Sequence, residues 1–276
     1  SGRYATQPSK PFRTATIDHI MCGKAQCEPG QHRLGVDLGL YSVTFNNDTD
    51  LDRATLEAYK AFRLEAEAKG FRHFLEVFDP NACGDHPPEN LPRFINDHIV
   101  RALAGVTSRA RPLFLKIAYH GPAAMEALAG YDRSLIVGIL GGSAGTTFDA
   151  FDMLWEAKKY GARVALYGRK INHAEHQLTF VQYLRAVADD DLGPEEAVRA
   201  YHADLKRLGI APRRSLRDDL QRTAGATSYA GSSPRRPVAH ASGSAANRPS
   251  DEPDFSKMTP AEKVQWNLDR WKRILG

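Results

Sequence analysis

From about residue 13 to residue 210 the chain alternates two hydrophobic patterns. Short runs rich in β-branched and aromatic residues, bounded by Gly, Asn, Asp or Pro, predict strands at "TATIDHI", "RLGVDLG", "YSVTFN", "FRHFLEVF", "LFLKIAY", "LIVGILGG" and "RVALYGR". Between them apolar residues recur at helical spacing. Asp50 can cap a helix that presents Leu56, Tyr59, Phe62 and Ala66 on one face and closes at Gly70. A second such stretch runs from Thr147 through Phe148, Phe151 and Trp155 to Gly161. A third, "GPEEAVRAYHADLKRLG", carries Pro194 and acids in its first turn and Gly209 after its end. Strand and helix in alternation imply parallel β/α units, because a parallel neighbour needs a crossover connection. The fold class is therefore α/β, as a (β/α) barrel or an open doubly wound sheet, and in either one functional groups collect at the carboxyl ends of strands.

The pattern stops after about residue 221. Residues 222–256 are rich in Ser, Ala, Gly and Pro, lack a core-forming face and predict a disordered linker. Residues 257–276 regain helical periodicity, with Thr259 as cap, Pro260 in the first turn, Val264, Leu268, Trp271 and Leu275 on one stripe and a basic last turn. Three parts follow: a barrel domain over 13–221, the linker, and an amphipathic docking helix whose residues 260–275 are expected to meet a protein partner. This linker-plus-helix arrangement resembles the encapsulation peptides that direct enzymes into bacterial microcompartments. Docking on its own barrel, oligomer contacts and a membrane surface are the other occupants of such a helix.

Composition narrows the picture further. With 276 residues, 42% hydrophobic and 25% charged, the chain can build a sizeable core. No apolar run approaches the roughly 20 residues that span a bilayer, and "SGRYATQPSKPF" lacks a signal-peptide core, so a cytoplasmic location is expected. Net charge is +4, yet from Arg222 to Ser250 the only charges are arginines, which assigns part of the excess to the tail. Without a basic stripe interleaved with aromatics, nucleic acid is not an expected partner. Cys22, Cys27 and Cys83 cannot all pair within the chain, and their spacing with His19 and His32 is not a standard zinc pattern; reduced thiols and no metal are expected.

Candidate chemistry begins in "RPLFLKIAYHGP", where Lys116 interrupts an apolar run. A desolvated lysine loses proton affinity and becomes a nucleophile toward a carbonyl, forming an iminium. The structural alternative is an ion pair with a carboxylate such as Glu76 or Asp18. Next comes "LGGSAGTTFDAF", a glycine-rich turn leading into a helix whose free N–H groups favour an anion, or simply a flexible connection. Then "LYGRKIN" places Arg169 and Lys170 after another strand, suited to phosphate oxygens or to plain solvation. In this order, a strand lysine followed by two phosphate-type loops suits a barrel acting on a phosphorylated carbonyl compound. His73, His120, His173 and His176 have no metal-binding spacing and are read as structural or surface groups, and "PNACGDHPPENLP" as a lid or a surface loop.

The order "FLKIAY…LIVGILGGSAGTTFDAF…AKKYGARVALYGRKINHAEHQLTFVQYLRAV" resembles the class I, Schiff-base aldolases of the DhnA-type fructose-bisphosphate aldolase and LsrF group, and more distantly deoxyribose-phosphate aldolase. The likeness covers residues 110 to 190. It implies a TIM-type (β/α) barrel, no cofactor, a phosphorylated small-molecule substrate and a homo-oligomer. It also implies Lys116 as the Schiff-base lysine, Gly141, Gly142 and Ser143 as one phosphate loop, and Gly168 and Arg169 as the second. Asp18 and His19 in "TIDHI" resemble the "DHG" that closes the family's first strand. Two departures stand out. The family's proton-donating tyrosine is replaced by Phe78 in "VFDPN", which leaves Glu76, Asp79, Asp18, Asp37 and Tyr119 as candidates, Glu76 first because strand alternation can aim it inward. Seven strands are also too few for a regular barrel, so one abbreviated on its N-terminal side, or completed by a partner subunit, is expected. The functional expectation is an aldehyde-lyase that makes or breaks a C–C bond; the alternative is a sugar-phosphate-binding or scaffold barrel without turnover.

Overall fold

The computed structural model describes residues 7–28, 30–142 and 145–223, all within a compact unit spanning residues 1–231. Ser143 and, beyond Thr223, the expected linker and docking helix lie outside the described residues. Among the described residues five parallel strands form one sheet: β1 (Leu38–Thr44), β2 (Arg72–Phe78), β3 (Leu115–Ile117), β4 (Gly138–Leu140) and β5 (Val164–Leu166). Their spatial order is their chain order. A doubly wound sheet reverses order at a switch point, whereas a barrel adds each strand beside the last, so this sheet is an arc of a (β/α) barrel.

The abbreviation falls on the N-terminal side. "TATIDHI", expected as a strand, is instead a helix, α1 (Ile17–Cys22), whose first turn is capped by the Thr16 side chain accepting from the His19 amide. "RLGVDLG" and "YSVTFN", expected as two strands, contribute to the single strand β1. It continues through Gly39 because the Phe71 ring lies only 2.7 Å from where a β-carbon there would sit.

Strand alternation separates two faces. Tyr41, Val43, Leu75, Val77, Leu115, Ile117 and Ile139 point outward and share one core with the helices. In α2 (Thr49–Lys69), Tyr59, Phe62 and Ala66 are buried as expected, with Gly70 as the left-handed C-cap; the N-cap is Asp48, two residues before the expected Asp50. Ile95, Ile99 and Leu103 of α3 (Leu91–Leu103) and Met125 and Leu128 of α4 (Pro122–Tyr131) complete this layer. Truncating one of these aliphatic side chains to alanine would cost about 2–5 kcal/mol.

A second core joins α5 (Thr147–Lys159) to the helices that follow β5: α6 (Arg169–Asn172), α7 (Gln177–Ala188), α8 (Pro194–Arg207) and α9 (Leu216–Asp219). Phe151, Phe180 and Tyr201 pack at its centre. Trp155, expected on the buried stripe of α5, is 38% exposed, with Lys159 over its ring; Leu154 takes the inward position instead.

Candidate active site

The inner face of the arc carries Ser42, Glu76 and Lys116 in one register row, Ser42 opposite Glu76 and Glu76 opposite Lys116. Parallel pairing therefore brings three polar side chains together across three strands. Lys116 Nζ lies 2.6 Å from Glu76 Oε1, and the Ser42 hydroxyl donates to Glu76 Oε2 at 3.1 Å. Glu76 is 2% exposed as a residue, whereas the Lys116 side chain keeps 19% of its surface. The amine thus faces outward from a buried carboxylate. Ser42 also lines a cavity of about 480 Å³ along β1, walled by residues 9–15 and by Leu40, Thr44 and Phe78. Below the row, Phe74 and Phe114 stack at 4.7 Å and give it an apolar floor.

Of the other groups named as proton carriers, none joins the row. Asp79 pairs with His120 Nε2 at 2.8 Å, and exposed Asp37 pairs with Arg72 at 2.7 Å. Asp18, expected at the end of a first strand, sits on α1 and binds Lys69 Nζ at 2.6 Å; that hydrogen bond, first among several causes, holds its carboxyl below the ordinary range. Tyr119 lies beyond the end of β3, three residues past Lys116, and is buried beside the acids of α5. Its buried phenol is pushed well above its usual pKa, by burial first and then by the acids of α5, Glu156 and Asp152. Asp18 and Tyr119 are thus withdrawn from the reacting group. Two of the histidines hold structure together: buried His73 meets the Tyr59 hydroxyl at 3.0 Å, and His176 caps α7. The proline-rich loop after β2 is tied down, since the amides of Asn81 and Ala82 both donate to Asn46 Oδ1.

The phosphate loops differ from expectation. Gly141 is buried, its amide donates to Leu166 O at 3.0 Å, and a β-carbon there would lie 2.1 Å from the Tyr167 ring. Its glycine identity therefore admits the Tyr167 ring. Gly142 adopts a left-handed φ of 59°, which a glycine takes without strain. The N-terminus of α5 is already filled by side chains: Asp149 accepts from the Thr146 amide, and Asp219 Oδ1 accepts from the Thr147 amide at 2.8 Å. Gly168 caps α6, which begins at Arg169, and its carbonyl accepts from the Asn172 amide.

The residues that do converge after β4 and β5 are different ones. Lys170 Nζ and Arg214 Nη1 each donate to Gly145 O at 2.9 Å, bridging the two loops. With Arg213, His173, Glu175 and Asp219 they line a cavity of about 310 Å³. Burial, the largest cause, lowers the Lys170 pKa, with Asp219 opposing and Arg214 adding to the effect. Three cations against two carboxylates give this cavity a positive excess suited to an anion.

No protein-family model matches the chain, and no curated protein matches it. It is similar to a solved archaeal fructose 1,6-bisphosphate aldolase. The TM-score is 0.47, with 18% identity over 56% of this chain and 59% of that one. The chain thus spans less than two thirds of that structure.

Lys170 stands beside Arg169 in the sequence, whereas Arg213 and Arg214 belong to no loop that follows a strand. They follow α8, and only the return of the chain past the β4 loop brings them to Gly145. The adjacent pair "RR" just after a helix was the available signal. The expected reduced thiols are likewise corrected: Cys22 and Cys27 form a disulfide, and Cys83 is free.

Proposed function

We propose that this protein is a class I aldolase-like lyase in which Lys116 forms a Schiff base with a phosphorylated ketone or aldehyde. The observation that carries this reading is the 2.6 Å contact between Lys116 Nζ and buried Glu76. Such a contact lets one proton be handed back and forth. Glu76 takes a proton from Nζ, and the neutral amine adds to the carbonyl carbon; a second proton passes from the nitrogen to the alkoxide oxygen to give the carbinolamine, and Glu76 then returns the first to that hydroxyl, which leaves as water and gives the iminium. Glu76, a carboxylate again, accepts the proton of the β-hydroxyl as the Cα–Cβ bond breaks and its electron pair moves into the iminium. Ser42, on the second carboxylate oxygen, holds Glu76 in place through these exchanges. Glu76 thereby fills the role left open by Phe78. The Lys170, Arg213 and Arg214 cavity is the anion site of this reading, and the resemblance to the DhnA-type and LsrF aldolases agrees with it.

A second reading, a sugar-phosphate-binding barrel without turnover, is favoured by Phe78 at the tyrosine position and by a lysine already matched to a carboxylate. One experiment separates them. Ketose phosphates of three to seven carbons are incubated with the protein, and released aldehyde is captured as a hydrazone. Release that disappears in Lys116→Met, while that variant still binds the ester by calorimetry, supports the lyase. Binding without release in the unaltered protein supports the second reading.

A further inference from the structure

The segment from α1 to the 3-10 turn at Gln31–Arg33 carries a cluster that the proposed lyase chemistry does not use. Ligand atoms of Asp18, Cys27 and His32 all lie within 4.8 Å of one another. Asp18 Oδ1 is 3.3 Å from His32 Nε2, and the Cys27 sulfur is 3.3 Å from the Asp18 carbonyl oxygen. Cys22 joins them through its bond to Cys27, and it sits one helical turn beyond Asp18 on α1. Lys69 binds the other Asp18 oxygen, Oδ2, so it fixes the carboxylate while leaving Oδ1 turned to the cluster.

Four donors of these types match what a borderline-soft cation takes: two thiolates, one imidazole and one carboxylate. Tetrahedral zinc with ligand bonds of about 2.0–2.3 Å has donor-to-donor edges of roughly 3.3–3.8 Å, the range into which the Asp18 and His32 atoms already fall. The two sulfurs cannot act as thiolates while bonded to each other.

We propose that reduction of the Cys22–Cys27 disulfide opens a Zn²⁺-class metal site formed by Asp18, Cys22, Cys27 and His32. A dithiol supplies two electrons and two protons: the S–S bond breaks, the dithiol closes to its own cyclic disulfide, and two thiols remain. The metal then displaces both thiol protons as it binds. One segment thus has two closed states, a disulfide and a metal clip, selected by redox conditions. His32, with a third of its side chain exposed, provides the entry side.

The test uses the full chain, oxidised or reduced with a dithiol that is then removed, and titrates it with Co²⁺ as a spectroscopic stand-in for Zn²⁺. The expected result is one Co²⁺ per reduced chain with thiolate-to-cobalt absorption and tetrahedral d–d bands, displaced by Zn²⁺, and none for the oxidised chain. Cys27→Ser abolishes the signal and Cys83→Ser leaves it unchanged. His32→Ala weakens Zn²⁺ binding beyond the roughly 10- to 100-fold lost with an outer-shell partner, and Lys69→Met falls within that range. The partly exposed position of His32 keeps its variant informative if the cysteine variant does not fold. Absence of a thiolate band in the reduced chain, or equal metal binding in oxidised and reduced protein, would overturn the proposal.

Discussion

Removing either member of the Lys116–Glu76 pair should destabilise the protein, and unequally. At 2.6 Å, two unit charges attract by about 6 kcal/mol at an effective dielectric near 20. Taking each ion out of water costs several kcal/mol, so the intact pair is expected to come close to break-even. Breaking it leaves one buried charge without compensation, at about 3–5 kcal/mol. Glu76 is the more deeply buried partner, its side chain 3% exposed against 19% for Lys116. Lys116→Met strands the carboxylate with Ser42 as its remaining donor and should cost near 5 kcal/mol, whereas Glu76→Leu leaves an ammonium that still reaches solvent and should cost about 3 kcal/mol. The double variant Glu76→Leu/Lys116→Met should return to within about 1 kcal/mol of the parent, because neither charge is then buried. Urea unfolding of the four proteins at pH 7 measures the cycle. Single substitutions that each cost under about 1 kcal/mol, or a double variant whose cost equals their sum, would refute the placement of this pair in a water-poor site.

Three further outcomes follow from the same geometry. Burial first, and Arg63 second, push the His73 pKa down to about 4, so the folded state binds fewer protons than the unfolded one between about pH 6.5 and 4. Stability should fall by about 3 kcal/mol as pH drops through that window, a loss that His73→Gln removes from the urea midpoints. Gly141→Ala would place a β-carbon 2.1 Å from the Tyr167 ring and should cost about 1–3 kcal/mol or more, read as a lowered Tm. Lys170→Met and Arg213→Ala should each weaken phosphate-ester binding by about tenfold, the loss of one charge-assisted contact, while leaving Cys22–Cys27 intact in peptide mass spectra.

Periodicity made β2 to β5 and helices α2, α5 and α8 legible, because each buries one face and its spacing records which. The stretch around Asp18 misled because Thr and Ile favour strands, while a six-residue helix is too short to show a period. What makes it helical is tertiary: the Thr16 cap, the Lys69 contact and burial of Ile17 and Met21. Gly39 looked like a strand boundary, yet it is the residue that lets Phe71 lie against β1. At the site, alternation located Glu76 and Lys116 on one face, and their register confirmed the pairing. Tyr119 lies past the last residue of β3, where alternation no longer says which way a side chain points. The role of Gly141 was not legible, because a glycine that admits a phosphate and one that admits an aromatic ring look alike in sequence.

The most direct test of the central claim is borohydride trapping. The protein is incubated with small phosphorylated ketoses and aldehydes, reduced, and mapped by peptide mass spectrometry. The account predicts a stable adduct of substrate mass on Lys116, absent from Lys116→Met and diminished in Lys170→Met. No adduct on Lys116 with any of these compounds, alongside measurable binding of the same esters, would contradict Schiff-base chemistry in this barrel.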